Sequence, residues 1–446
     1  MPEVVERHAL GALEARRQLG DREGIALATA DYARAVGDYK TSDDPRLEIL
    51  LPAWEAYSDL EATQAGVALM LQLAAGHVSR GDDAAALAWL YRLLPVAERL
   101  DLLPQTASGL ARLSSLLFRR DRPREALILL RGTHDLAVAG GLVDVHMSTR
   151  TLLTFYEQFA DPVAGLAMTR DGLEIASRQG SAVYGFFMVG NAVSCAIRVG
   201  EWAWVASLLD EWLANEIAGQ FYLELYVDRA VLSALRGADP SADLLDAARL
   251  LPGMADPQYT SYCHWGRAWA AFVTGRLADA RQEAISAADA ANYFAPIGLP
   301  IAARAALWAG DAPDAAALVA RLEACLFRGQ AIGLDVLTLR AGVAALEGRR
   351  TEAVAGYREA LRGWRTLGLA FDEAMAALDV AILLAPTERE MAEAPAAIET
   401  ARETLTRLGA TPFLARLEEA RTVAMVAASV APEVRPAGLV PLAPGG

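Results

Sequence analysis

Lysine is all but missing from this 446-residue chain: Lys40 is the only one, so arginine supplies almost all of the 41 lysine and arginine side chains. That scarcity excludes a phosphate-loop, Schiff-base or kinase-type lysine at every other position. Lys40 itself follows Gly37-Asp38-Tyr39, with tyrosine where a phosphate loop requires glycine. Cysteine is nearly as scarce. Cys195, Cys263 and Cys325 stand alone in helical segments, too few for a disulfide framework and consistent with a reducing compartment. His8, His77, His134, His146 and His264 are scattered, and the adjacent Cys263 and His264 project about 100° apart on a helix, so they cannot chelate one metal as neighbours. No Gly-x-Ser-x-Gly elbow, His-Glu-x-x-His, paired Cys-x-x-Cys or calcium loop occurs. The expectation is a chain that is not an enzyme and carries no cofactor and no metal.

Cationic charge is also in deficit. The formal net charge of -15 opposes direct nucleic-acid binding, which needs clustered cations to neutralise phosphates. No uninterrupted apolar run approaches a bilayer span, and Met1 to Arg7 is acidic and polar where a signal peptide is basic and then apolar. A cytoplasmic protein without membrane attachment is expected. With 54% hydrophobic and 22% charged residues, the chain has ample material for a continuous core.

What is present is a recurring turn. Gly37-Asp38-Tyr39, Gly81-Asp82-Asp83, Asp121-Arg122-Pro123, Gly200-Glu201-Trp202, Gly237-Ala238-Asp239, Gly275-Arg276-Leu277, Gly310-Asp311-Ala312 and Gly348-Arg349-Arg350 recur with a period of roughly 35 to 44 residues, the step from Asp121 to Gly200 spanning two periods. Each precedes an Ala-rich helix start, such as Ala86, Ala126, Ala242, Ala280, Ala315 and Ala353. The clearest unit is a helix over 335–347, a turn at 348–350 and a second helix in which Ala353, Tyr357 and Ala360 share one face, small-large-small, with Thr351 placed to cap it. First helices carry stripes such as Met70, Leu73 and Ala74, or Leu110, Leu113, Ser114 and Leu117. Gly20, Gly141, Gly180, Gly219, Gly298, Gly333 and Gly368 are placed to close second helices in the left-handed conformation. This grammar predicts an all-α, right-handed superhelical solenoid of helical hairpins, each unit burying its apolar face against its neighbours.

These units resemble tetratricopeptide repeats, although at roughly 38 residues they exceed the standard unit of about 34. The phrases Gln18-Leu19-Gly20-Asp21-Arg22-Glu23-Gly24-Ile25-Ala26 and Gly348-Arg349-Arg350-Thr351-Glu352-Ala353 resemble the Ala-rich repeats in the C-terminal halves of bacterial signalling ATPases, among them LuxR-like regulators and nucleotide-cyclase proteins. The resemblance covers about residues 1 to 425 and implies a repeat scaffold serving an ATPase or cyclase module; none of a cyclase's metal-binding or base-recognising residues has a counterpart here. The absence of a helix-turn-helix after the repeats favours the cyclase-associated or plain ATPase arrangement.

The expected organisation is a partial repeat over 1–20, consisting of a second helix only, then about nine hairpins over 21–408, a capping helix over 409–428 and a flexible Pro/Gly-rich tail over 429–446. A helix over 4–19 with no first helix before it suggests a missing N-terminal partner or a self-association surface, and equally a lone cap. The expected partner is a protein or peptide, with a small effector as the other candidate, bound in the groove lined by first helices. Two constellations are candidates for contact. His146, Arg150, Thr154 and Glu157 form a polar stripe at helical spacing, readable as a groove-facing ligand stripe or as a solvated face. Tyr262, Trp265, Trp269 and Phe272 align on one helix and could stack on a ligand, but aromatics at this spacing favour core packing, with His264 and Arg267 then left on the free side. Three functions remain open: an interaction or ligand-sensing scaffold, the non-catalytic C-terminal portion of a multidomain adenylate or guanylate cyclase, and a structural oligomerisation rod.

Overall fold

A computed structural model describes residues 2–37, 44–214, 220–254, 256–385, 387 and 389–430. The turn after Gly37, Lys40, Gly219 and the tail beyond residue 430 lie outside the described residues. Among those described there are 22 α-helices and no strand. In chain order they are α1 (Pro2–Leu19), α2 (Arg22–Gly37), α3 (Arg46–Tyr57), α4 (Gln64–Ser79), α5 (Asp83–Arg99), α6 (Leu103–Arg119), α7 (Pro123–Ala139) and α8 (Val143–Ala160). Then come α9 (Pro162–Gln179), α10 (Ala182–Val199), α11 (Trp202–Leu213), α12 (Gln220–Leu235), α13 (Ser241–Leu250), α14 (Pro257–Val273) and α15 (Leu277–Ala290). The last are α16 (Ala295–Trp308), α17 (Ala312–Ala324), α18 (Gln330–Leu346), α19 (Arg350–Leu367), α20 (Ala370–Asp379), α21 (Ala394–Leu408) and α22 (Thr411–Val430).

The turns explain why the helices are short and evenly spaced. At Gly81, Gly180 and Gly368 φ is +72°, +64° and +71°, and the next amide reaches back to the carbonyl five residues earlier: Asp82 to His77 at 2.9 Å, Ser181 to Ala176 at 2.9 Å, Leu369 to Trp364 at 3.1 Å. This closes each helix and reverses the chain. Asp101 and Asp121 adopt the same conformation at φ +55° and make the same bond, Leu102 to Ala97 and Arg122 to Leu117, both at 2.9 Å. The following helix is often started by an aspartate that accepts from its first turn: Asp82 from Ala85, Asp161 from Val163 and Ala164, Asp311 from Asp314.

Several local expectations need correction. Gly298 and Gly333 do not close helices; they lie inside α16 and α18. A Cβ on Gly298 would sit 2.4 Å from the carbonyl oxygen of Ala284, so glycine there lets α16 lie directly on the α15 backbone. Thr351 is within α19, whose N-cap is Arg349 with no side-chain cap. Among the described residues α10 is long and apolar enough to cross a membrane by length and composition, against the expectation that no run approaches a bilayer span; 61% of it is buried in the protein, where it packs as a core helix.

Consecutive helices pack on one another, and each even-numbered helix from α2 to α16 also packs on the next even-numbered one. The even helices thereby form an inner layer and the odd ones an outer layer. Ala353, Tyr357 and Ala360 are each fully buried. Packing is not confined to neighbours, however. α8 touches α18, α10 touches α20, and α22 touches α20 and the π-helical turn Val380–Leu384. The main core therefore runs unbroken from Val67 to Leu417. Buried ion pairs fasten this closure: Arg198 of α10 donates to Asp335 of α18 at 3.1 Å and to Asp372 of α20 at 2.9 Å, with its guanidinium 5.3 Å from the Trp364 ring centroid. Asp379 accepts from Arg304 at 3.0 Å and from the Trp308 indole at 2.7 Å. Tyr156 of α8 donates its hydroxyl to the Arg328 carbonyl at 2.8 Å.

Candidate functional site

Where the inner layer does not close, it encloses a concave cavity of about 910 Å³. Its walls are single faces of α2, α4, α6, α8, α10, α12 and α14. On α8 that face is Asp144, Val145, Ser148, Thr151, Leu152 and Phe155, which recur at the three- and four-residue steps that keep to one side of a helix. The predicted stripe lies on a different face. His146, Arg150, Thr154 and Glu157 do not line the cavity. Arg150 donates to the Met168 carbonyl of α9 at 3.1 Å, and Glu157 faces Arg131 of α7 at 3.5 Å. Thr154 is fully buried and accepts from Asn191 at 2.7 Å. The His146 ring lies 4.9 Å from that of His134, and burial together with Arg150 pushes its pKa down, which keeps the imidazole neutral. The expected groove stripe is thus a set of contacts between inner and outer helices.

The four aromatics of α14 divide. Trp265 and Phe272 are buried, Phe272 lying 4.6 Å from the Trp308 ring, and Trp269 is half-buried against Phe272. Tyr262 alone reaches the cavity, its ring edge-on to Phe294 at 5.1 Å. On the free side of the helix, Glu283 accepts from Arg267 at 2.9 Å and lies 2.7 Å from Nδ1 of His264.

Polar groups in this cavity are unevenly satisfied. Arg119 is matched by two carboxylates, Asp83 at 3.2 Å and Asp256 at 2.9 Å. Tyr293 donates to Asp256 at 3.4 Å. Asn191 points away, giving its amide to the Thr151 carbonyl at 2.9 Å and to Thr154. The Oε1 atoms of Gln72 and Gln105 line the wall, buried and without a hydrogen-bond partner. Deeper in, α12 carries Glu224 and Asp228 one turn apart. Asp228 is fully buried and neither carboxylate oxygen has a partner. Glu224 lines the cavity, and burial together with Asp256 pushes its pKa up to about 7. Burial and the neighbouring Glu224 push Asp228 well up as well. Two adjacent carboxyl groups are thus held where neither ionises easily. The sequence carried a signal for them, two acids at i and i+4 in the mostly apolar run Phe221 to Leu235, but not which face of α12 looks inward.

Burial raises all three thiols, Cys195 to about 12, so none is held as a thiolate. Among the described residues no group of three His, Cys, Asp or Glu side chains is placed to hold a metal ion. No protein-family model matches the chain, and no curated protein matches it.

Proposed function

We propose that the chain is a right-handed superhelical solenoid of tetratricopeptide-like hairpins that acts as a ligand-sensing or protein-interaction scaffold in the cytoplasm, taking a peptide or small effector into its concave cavity. The observation carrying this reading is the cavity itself, walled by one face of seven successive inner helices. A pocket of this size suits a small molecule or a short peptide segment. Because one ligand would touch many repeats at once, its binding energy can bias the small rotations by which stacked hairpins flex. The regulatory setting, beside an ATPase or cyclase module, rests on the likeness of the repeat phrases around Gly20 and Gly348. Catalysis would then belong to that module, with this chain supplying the sensor.

The test is native mass spectrometry of the chain recovered from its source cells, wild type against Ser148→Trp. Ser148 is a small, half-buried lining residue, so an indole there fills the cavity without touching the main core. The expected result is a bound peptide or small molecule on the wild type that the variant lacks, at unchanged helical content. An equal load on both proteins, or none on either, overturns the reading.

A further inference from the structure

The least expected feature at the cavity is a pair of unanswered acids, the half-buried Glu224 on its wall and the fully buried Asp228 beside it. Asp228 lies fully buried with both oxygens unpartnered, and Glu224, one turn earlier on α12, makes no hydrogen bond or ion pair with any described residue. Arg119, a cation on the walls, is already engaged by Asp83 and Asp256. The two carboxylates also converge. The position a side-chain carbon would take on Gly190 of α10 lies 3.4 Å from Oε2 of Glu224 and 3.8 Å from Oδ2 of Asp228. Glycine there, next to the cavity-lining Asn191, leaves room for a side-chain carbon within reach of both acidic oxygens, just behind the wall that Glu224 lines. Tyr262 flanks it from α14, feeling both charges, and Tyr259 feels Glu224.

A buried carboxylate without a donor is among the costliest arrangements a fold can keep, and the usual remedy is a partner that brings its own hydrogens and positive charge. An ammonium group has three donors and a charge compact enough to meet two oxygens and a tyrosine face together. We propose that Glu224 and Asp228 form a subsite for a protonated primary amine, entering through the cavity and seated at Gly190. The shared chemistry admits two sources, a free aliphatic amine or a lysine side chain on a partner peptide. This rests on the scaffold reading above and specifies the ligand class of its cavity.

The electrostatics dictate a pH dependence. Groups facing Glu224 are Asp228 on its own helix and Asp256, Tyr259 and Tyr262 on and at the start of α14; burial and Glu224 raise the carboxyl pKa of Asp228 as well. An ammonium displaces the proton that Glu224 keeps near neutrality, so affinity rises with pH, about tenfold between pH 6 and pH 8 from this group alone.

Isothermal titration calorimetry of the full chain with butylamine, putrescine and the peptide Gly-Lys-Gly, with potassium chloride as the inorganic control, tests this. The expected result is binding by at least one amine probe, stronger at pH 8 than at pH 6, and at least tenfold weaker in Glu224→Gln/Asp228→Asn. Binding by the free amines alone assigns a small effector, and binding by the peptide alone assigns a protein side chain. The double variant removes buried like charge without changing shape, so its Tm should equal or exceed that of the wild type; Glu224→Gln alone provides the same comparison with only the cavity-lining acid changed. No amine binding at either pH, binding unchanged by the substitutions, or an equal response to potassium overturns the proposal. Ser148→Trp stripping a ligand with no basic group would overturn it too while leaving the scaffold reading intact, so the two fail separately.

Discussion

Glu224 offers a measurement on the folded protein without any ligand. Its carboxyl titrates near pH 7 in the fold and near 4.5 when exposed, so between those values the native state holds a proton that the unfolded state has released. Stability contributed by this group is therefore present at acid pH and is lost as pH rises through about 7. The loss is at most about 3 kcal/mol, since one pKa unit corresponds to about 1.4 kcal/mol and water entering the cavity screens part of it. His134 and His146 pull the other way: their lowered values mean that the unfolded chain binds protons the fold does not, so their contribution grows as pH rises toward 6.5. The overall profile mixes both, whereas the difference between wild type and Glu224→Gln isolates one carboxyl. Urea midpoints at pH 5, 6, 7 and 8 should show the glutamine variant gaining on the wild type as pH rises. A constant offset between the two proteins would mean that Glu224 is solvated like a surface acid.

At the level of elements, the helix-closing turns were legible because the same residue does the same physical work at many of them. Glycine after the helix takes positive φ at Gly81, Gly200, Gly275, Gly310 and Gly348, all read directly from the sequence. Gly298 and Gly333 misled because a glycine inside a helix looks the same in sequence; its role, close approach of another backbone at Gly298, appears only with the neighbour in place. The site was less legible. On α8 the stripe His146-Arg150-Thr154-Glu157 and the stripe Asp144-Ser148-Leu152-Phe155 are equally periodic, and which one faces the cavity depends on how α7, α9 and α10 pack around the helix. Gly329, just before α18, makes a sharper test of an element contact. Its backbone is extended, so any residue could adopt it, but a Cβ would lie 2.3 Å from the Ala160 Cα and 2.7 Å from the Phe159 carbonyl oxygen. Both belong to α8, so the clash cannot be relieved by turning a side chain. Gly329→Ala should cost about 1–3 kcal/mol by forcing α18 off α8, read as a lower urea midpoint. An unchanged midpoint would show that this contact yields freely.

For the whole molecule, the decisive feature is that inner helices far apart in sequence meet. A stack held only by neighbour contacts loses stability in proportion to the unit damaged, because its energy is a sum over adjacent interfaces. Here Arg198 joins α10 to α18 and α20 through the buried Asp335 and the half-buried Asp372. Burial lifts Asp335 to about 6 even with the guanidinium against it. Removing one member of such a set strands the others, at a cost of about 3–5 kcal/mol, whereas replacing the whole set by apolar groups of similar volume can be neutral. Arg198→Met should therefore be strongly destabilising, and Arg198→Met with Asp335→Leu and Asp372→Leu should recover most of the loss. The closure also sets the cavity's shape, since α8 and α10 are both cavity walls and closure contacts. If those contacts bend the stack, the single variant should show a larger radius of gyration by small-angle X-ray scattering while far-UV circular dichroism keeps its helical signal, and the triple variant should contract again. A single variant that loses helix in step with its expansion would mean that the inner contacts support the helices themselves, and that the chain unfolds as one cooperative body instead of opening along its stack.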